Sequence, residues 1–252
     1  MMAPTAQKSG SIFPLACLLA AIAMALLLIA SGLGNRWGWW GFVIGLKILT
    51  FAAFAEAAIA VVSLGGCFIG ARSTKGLVML AVAVVIAVAV LSVPLRMASA
   101  AKRLPYIHDI TTDTENPPRF DDAIRRLRLD SPNTVDYEGP AVAELQRQAY
   151  PYIKPLVLHI SPGKAYQAAL FAASSMGWHI VSTDAERGMI EATDTTFWFG
   201  FKDDIVVRIS TEGALSRIDV RSASRVGKSD IGKNAKRILA YLNEVELETA
   251  TP

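Results

Sequence analysis

The most concentrated charge in the sequence is a basic segment from Arg217 to Arg237. It holds seven Lys/Arg and two acids, a net charge of +5. Within it, the residues from Arg225 to Asp230 are predicted to join a strand to the start of a helix. Backbone N–H groups at a helix start, with Arg and Lys beside them, can bind a phosphate or a carboxylate. The candidate ligand-binding residues are Arg208, Asp219, Arg221, Ser224, Arg225, Gly227, Lys228, Ser229, Asp230, Asn234 and Arg237.

The same residues also fit a structural interpretation. Arg208, Asp219 and Arg221 would then form an ion network on one face of a sheet. Asp230 would cap its own helix, where its carboxylate competes with any anion for the free N–H groups. Both interpretations stay open at the level of the sequence.

An acidic arm precedes the basic segment. From Asp109 to Asp122 it holds five acids and one Arg, a net charge of −4. Paired carboxylates can move protons or bind a divalent cation, so one alternative is an enzyme that uses Asp109, Asp113 and Asp194. Asp and Thr also cap turns in segments without regular structure. The most economical interpretation is that the arm docks on the basic segment of the same domain. Its candidate residues are Asp109, Thr112, Asp113 and Asn116.

Two further features could carry function. Glu56 lies in the middle of an apolar segment, where an ionisable group is costly and often functional. It could make the chain a structural membrane subunit, or it could simply bond to Ser63 or to a neighbouring helix. The aromatic run from Phe197 to Phe201 could face a membrane or a partner, but it fits a core position better, with Gly200 allowing the bend.

Charge is divided unevenly between the two halves of the 252-residue chain. Residues 1–101 hold six Lys/Arg and a single acid, whereas residues 102–252 hold 19 Lys/Arg and 21 acids. The second half is slightly acidic, so nucleic acid is not an expected partner. It also lacks cysteine, so it has no disulfide and no Cys-based metal site, and we predict no cofactor.

The first half contains three apolar segments that are each long enough to cross a bilayer, which takes roughly 20 residues. The sequence therefore predicts a membrane domain over 1–103 and a soluble domain over 104–252, with the lipid bilayer as a partner. The predicted spans cover about 12–33, 42–70 and 76–96.

The orientation of the spans is open. Three Lys/Arg (Lys8, Arg72 and Lys75) lie on one side, and five lie on the side of the soluble domain, which weakly favours a cytoplasmic domain. The five are Arg36, Lys47, Arg96, Lys102 and Arg103.

The soluble half alternates strands and helices. Ser161 and Pro162 are typical of a helix start, and Gly177 is typical of a helix end. Glu212-Gly-Ala-Leu215 suits a two-residue hairpin turn, whose register pairs residues with numbers that sum to 427. From the strand over 156–160 onward the predicted order is β-α-β-β-β-β-α, which indicates an α+β two-layer sandwich with a largely antiparallel sheet. The predicted elements are a helix over 140–149, a strand over 156–160, a helix over 162–176, hairpin strands over 178–184 and 189–196, the 427 hairpin, and a helix from Ser229 or Asp230 to about Glu246.

Several separated blocks of the soluble half closely resemble the domain of unknown function family numbered 1499. With three spans ahead of it, the chain looks like the membrane-anchored branch of that family. The resemblance implies membrane or envelope association and no activity. Short members often look secreted or lipid-anchored, which favours an extracytoplasmic domain. The resemblance covers about residues 104–246 and is carried by His108–Asp113, Asn116–Pro118, Phe120, Tyr150-Pro151, Ala165–Trp178, Ile190–Thr196, Phe199–Asp204, Asp219–Gly232, Asn234 and Arg237.

From these features we expect a membrane-anchored, non-catalytic binding or interaction module of the cell envelope. It would sit in the inner membrane of a bacterium, with its soluble domain on the periplasmic side. An anionic ligand or an envelope protein would be its partner, and the basic strand-to-helix turn would contact it.

Overall fold

The structure is a computed structural model that describes residues 12–69 and 73–250. By their contacts the residues fall into two compact units. One groups the helices before residue 100 with Trp198–Gly200, and the other holds the remaining residues from Ala100 to the C-terminus. Lys8, Gly70 and Arg72, which the sequence analysis used, lie outside the described residues.

The first unit is built from three helices that are long and apolar enough to cross a membrane. They are α1 (Phe13–Arg36), α2 (Phe42–Ile69) and α3 (Thr74–Arg103). The third runs beyond the predicted end at residue 96, since Pro94 is accommodated inside it and an alanine-rich stretch follows. Its 30 residues span about 45 Å at 1.5 Å per residue, which exceeds a hydrocarbon core of about 30 Å.

The aromatic run is divided between environments. Phe197 is exposed, whereas Phe199 is buried. Trp198 belongs with the helices of the first unit, where its Nε1 donates a hydrogen bond to the carbonyl of Ile29 at 2.9 Å. Gly200 has a φ of +67°, a left-handed conformation that suits glycine and turns the chain back.

The second unit is an α+β domain with an antiparallel six-stranded sheet. The strands run in the order β1-β6-β5-β4-β3, and β2 pairs with β6 beside β1. The elements are β1 (Asp109–Thr111), α4 (Asp122–Leu127), α5 (Pro140–Ala149), β2 (Leu156–Leu158), α6 (Pro162–Ser175), β3 (His179–Asp184), β4 (Met189–Thr195), β5 (Lys202–Glu212), β6 (Leu215–Ser224) and α7 (Lys233–Ala250).

The central hairpin confirms the predicted register. Glu212 pairs with Leu215 and Asp203 with Ser224, so every pair sums to 427. Gly213 opens the turn with a φ of +62°. Because side chains alternate across a strand, this register sends one set to α6 and α7 and the other to the opposite face. The set that packs on the helices is Ile205, Val207, Ile209, Ile218 and Val220.

The predicted element order missed β1 and α4. Both are short, at three and six residues, and neither shows a hydrophobic period that the sequence could reveal. The acidic arm contributes β1 to the sheet edge, and α4 lies on the face opposite α6 and α7. There Phe120 and Ile124 pack against Val206 and Ala223 in a second small core.

The last helix begins later than predicted. Ile231 and Gly232 have φ values of +53° and +74°, which are incompatible with a right-handed helix, so α7 starts at Lys233. Asp230 still caps it, because its carboxylate accepts hydrogen bonds from the N–H groups of Gly232 (2.9 Å) and Asn234 (2.6 Å).

Candidate functional site

The candidate arginines of β5 and β6 lie on the sheet face opposite α6 and α7. Arg208 pairs across the strands with Asp219, as the register predicts, and its Nη2 lies 2.9 Å from Asp219 Oδ2. Arg221 and Ala223 lie on the same face, two and four positions after Asp219 in β6. Each guanidinium on this face is bound by carboxylates from within the domain.

Arg221 is held internally. Its side chain is only 2% exposed, and its Nη2 lies 2.6 Å from Asp109 Oδ2 of the acidic arm. The same guanidinium donates to the carbonyls of Pro118 (3.2 Å) and Val135 (2.9 Å) and lies over the ring of Phe120. The prediction that Arg221 contacts a ligand requires an accessible side chain. The side chain is instead buried, because it links the acidic arm to the sheet.

Asp204 is the centre of a second internal network. Its fully buried carboxylate accepts hydrogen bonds from Arg225 Nε (2.9 Å) and Nη2 (2.7 Å), and from Thr193 Oγ1 (2.7 Å). Arg128 Nη1 adds a contact at 3.2 Å. Burial lowers the pKa of Arg128, and the charge of Asp204 opposes that effect. Arg225 thus serves the fold, which the sequence left open.

The arm docks on the basic segment, as the most economical interpretation predicted. Asp113 Oδ2 bridges Arg208 Nη2 (3.1 Å) and Arg217 Nη2 (3.3 Å). Thr112 Oγ1 donates to Asp219 Oδ1 at 3.3 Å and accepts from the N–H of Val220 at 2.9 Å. The negative arm and the positive strands therefore neutralise each other within one domain.

An open groove remains beside this junction. Its volume is about 540 Å³, and it is lined by Arg208, Arg217, Asp113, Asn116 and Ser210, among others. The side chains of Arg208 and Arg217 are 22% and 30% exposed, in contrast to Arg221. Among the candidate arginines, Arg208 is thus the most exposed, since the side chain of Arg225 is 12% exposed and those of Arg221 and Arg237 are buried.

Three candidates lie on the other face of the sheet, towards the helices. Arg237 of α7 reaches Asp203 Oδ2 at 2.6 Å and Asp194 Oδ2 at 2.8 Å. Asn234 donates to the hydroxyl of Ser224 at 3.0 Å and to the carbonyl of His108 at 2.8 Å. These buried contacts fasten α7 to the sheet, and the sheet separates them from Arg208.

The strand-to-helix turn is also occupied by its own bonds. Gly227 adopts a φ of +85°, and its carbonyl accepts from Asn133 Nδ2 at 2.7 Å. Lys228 is exposed, while the hydroxyl of Ser229 accepts from the N–H of Ile231 at 3.3 Å. Burial raises the pKa of Asp230, and its hydrogen bonds oppose that effect. The carboxylate of Asp230 therefore already occupies N–H groups at the start of the helix for which an anion would have to compete.

The candidate residues thus fall into three separate places. The first is the arm-covered face, the sheet face against which the acidic arm docks. The second is the helix-covered face, against which α6 and α7 pack, and the third is the strand-to-helix turn. Sequence reasoning missed Arg128, whose only signal was a basic residue in a polar stretch. It also left Arg217 out of the candidate set, although the hairpin register places Arg217 on the same face as Arg208 and Asp219. Strand alternation was the signal that could have found it.

Glu56 is buried within the helices of the first unit. Its two carboxyl oxygens and the hydroxyl of Ser63 find no hydrogen-bond partner within residues 12–69 and 73–250. Neither of the bonds suggested for Glu56, to Ser63 or to a neighbouring helix, is made among these residues. Residues seven positions apart are separated by about 10 Å along a helix. Glu56 is left as a buried carboxyl in an apolar setting.

Glu191 offers a pH-dependent test of the arm-covered face. Its buried carboxylate accepts from the N–H of Asp121 (2.6 Å) and from Ser182 Oγ (2.8 Å), yet burial outweighs both bonds and raises its pKa. A raised carboxyl pKa means that the folded state binds the proton more tightly than the unfolded state. This contribution to the free energy of unfolding therefore falls as pH rises from about 4.3 towards the raised pKa.

We expect Glu191→Gln to gain stability relative to the natural chain as the pH rises through that window. Urea unfolding of the full-length chain in detergent at several pH values between 4 and 8 measures this difference. Glu246→Gln, an exposed change on α7, controls for the loss of one carboxylate. A difference between Glu191→Gln and the natural chain that does not change with pH would contradict the assignment.

The fold and site together define a class: an α+β domain, tied together by arginine–carboxylate networks, that follows three helices able to cross a membrane. The family profile described as "Protein of unknown function (DUF1499)" matches residues 109–245, which is more than half of the chain. The chain therefore belongs to the DUF1499 family. The comparison with curated proteins gave no match.

Proposed function

We propose that the chain is a membrane-anchored, non-catalytic interaction module of the cell envelope that recognises an anionic ligand or partner. The observation that carries this proposal is the partly exposed guanidinium of Arg208 in the open groove. Buried Asp219 holds this side chain in place. Binding to the groove therefore does not have to include the entropy cost of ordering the guanidinium.

The chemistry of the networks favours binding over proton transfer. Asp109, Asp113 and Asp194, the carboxylates of the enzyme alternative, each lie against an arginine. A guanidinium keeps its proton throughout the physiological range, so these pairs hold charge in place and do not shuttle protons. Pairing also occupies the oxygens that a divalent cation would need.

We further propose the bacterial inner membrane as the location, with the soluble domain on the periplasmic side. The three apolar helices support the membrane part of this proposal. Short members of the family resemble secreted or lipid-anchored proteins, which supports the periplasmic side for the soluble domain. The excess of Lys/Arg on the domain's side argues in the opposite direction.

Cysteine labelling in intact cells tests the orientation. Single cysteines replace Ser131 and Thr249 in a full-length chain that carries Cys17→Ala and Cys67→Ala. We expect both positions to react with a membrane-impermeant maleimide before lysis, and the cysteine-free chain controls for background. Reaction only after lysis would place the domain in the cytoplasm and overturn the periplasmic part of the proposal.

Thermal unfolding in the presence of simple anions tests the binding role. We expect acetate or inorganic phosphate to raise the Tm of the full-length chain in detergent above its value in chloride at equal ionic strength. At ten times the Kd, the stabilisation is about 1.4 kcal/mol, or a few degrees. If neither anion raises the Tm more than chloride does, the proposal of an anion-binding module fails.

A further inference from the structure

The guanidinium of Arg208 is only partly used by the fold. Its Nη2 donates both of its hydrogens, to Asp113 Oδ2 at 3.1 Å and to Asp219 Oδ2 at 2.9 Å. Nε and Nη1 make no hydrogen bond to any residue within 12–69 and 73–250. A guanidinium has five N–H donors, so three of them remain for a ligand.

The groove surrounds these donors with further polar groups. The hydroxyl of Ser210 and the exposed side chain of Asn116 line the same groove as Arg208. Arg217 is more fully committed, because its Nε and Nη2 bind Asp219 and its Nη2 also reaches Asp113. Arg208 is therefore the group that would contact a ligand, with Arg217 holding the carboxylates behind it.

The charge balance of the groove limits the kind of anion. Arg208 and Arg217 are matched by Asp113 and Asp219, and exposed Glu115 at the rim adds one negative charge. A phosphate group carries about −1.5 to −2 at neutral pH, whereas a carboxylate carries −1. The groove repels the phosphate more strongly, while a carboxylate still finds the unpaired donors.

We propose that this groove is a binding site for a carboxylate group of a ligand or partner, which accepts a hydrogen bond from one of the unused donors of Arg208, on Nη1 or Nε. Asn116 and Ser210 add donors at the sides, and Asp113 and Asp219 keep the guanidinium in place. This inference rests on the proposed function, because it names the chemical group that an anion-binding module would take and the residue that takes it.

Substitutions at two exposed residues on the rim of the groove should change the affinity for acetate in opposite directions. Acetate is the probe, and its apparent Kd comes from the rise in Tm of the full-length chain in detergent with acetate concentration. Glu115→Gln removes a repelling charge and should tighten binding about 2- to 5-fold, as a nearby surface charge typically does. Asn116→Asp adds a negative charge and also removes the side-chain N–H donors, so it should weaken binding by at least a similar factor. Neither change should alter the Tm without acetate.

Two further variants locate the site. Glu246→Gln removes the same charge from α7, away from the groove, and should leave the acetate Kd unchanged. Arg208→Lys keeps the positive charge that Asp219 needs but loses two of the free donors, so binding should weaken about tenfold or more. Inorganic phosphate at equal ionic strength should bind the natural chain more weakly than acetate.

The outcomes separate the two proposals. If acetate binds but Glu115→Gln, Asn116→Asp and Arg208→Lys all bind it like the natural chain, the site lies elsewhere and this inference is wrong while the proposed function survives. If phosphate binds more tightly than acetate, the carboxylate assignment is wrong. If neither anion binds the natural chain, the proposed function fails together with the inference.

Discussion

Arg221→Met should destabilise the soluble domain by about 3–5 kcal/mol, because it leaves the charge of Asp109 buried without a partner. The carboxylate of Asp109 is 3% exposed and lies 2.6 Å from Arg221 Nη2. The change also removes the donors that bind the carbonyls of Pro118 and Val135. Urea unfolding of the full-length chain in detergent measures the loss, with near-ultraviolet circular dichroism as the reporter.

Two companion variants show whether the loss comes from the ion pair. Arg126→Met removes an exposed arginine on α4 and should change the free energy of unfolding by at most about 0.5 kcal/mol. The double variant Asp109→Leu with Arg221→Met removes both charges and should cost clearly less than the sum of the two single changes. If Arg221→Met unfolds at the same urea concentration as the natural chain, the arginine is free for a ligand, which is one of the two interpretations that the sequence left open.

Asp204→Asn should have an effect of similar size, about 3–5 kcal/mol, because one carboxylate serves two arginines. The oxygens of Asp204 accept from Arg225 Nε, Arg225 Nη2 and Arg128 Nη1. An asparagine side chain has the same shape, but its NH₂ group donates and cannot face a guanidinium. Arg128, whose side chain is 2% exposed, then keeps a buried charge without a carboxylate.

A matched asparagine substitution provides the control. Asp136 pairs with Arg125 at 2.7 Å, but its side chain is 74% exposed, so water replaces the partner. We expect Asp136→Asn to cost no more than about 1 kcal/mol, the usual value of a surface ion pair. Equal losses from Asp136→Asn and Asp204→Asn would show that the burial of Asp204 does not set its contribution.

Local patterns in the sequence were sufficient for most of the elements. Ser161 caps α6 and Gly177, with a φ of +74°, ends it, as predicted. The hairpin of β5 and β6 has its predicted register because a slip of one residue would turn its apolar side chains away from the helices. These features depend on residues close together in the chain, so their physical causes are visible without the fold.

Longer-range pairing could be anticipated only in outline. Opposite charges of the arm and the basic segment predicted that the two would meet, and the structure brings them together. Which acid meets which arginine was beyond the sequence, because Asp109 and Arg221 are 112 positions apart. The contribution of Arg128 could not be predicted for the same reason, since its partner Asp204 lies 76 positions away.

The sequence by itself determined the three apolar helices, the largely antiparallel character of the sheet, the register of its central hairpin and the family. Only the tertiary structure decided which charged side chains remain accessible. Eleven candidate residues looked equivalent along the chain, but strand alternation and burial placed Arg221 and Arg237 on opposite faces, each paired with carboxylates. Arg208 kept unpaired donors because the arm contributes one carboxylate beside the groove and leaves the rest of the guanidinium uncovered.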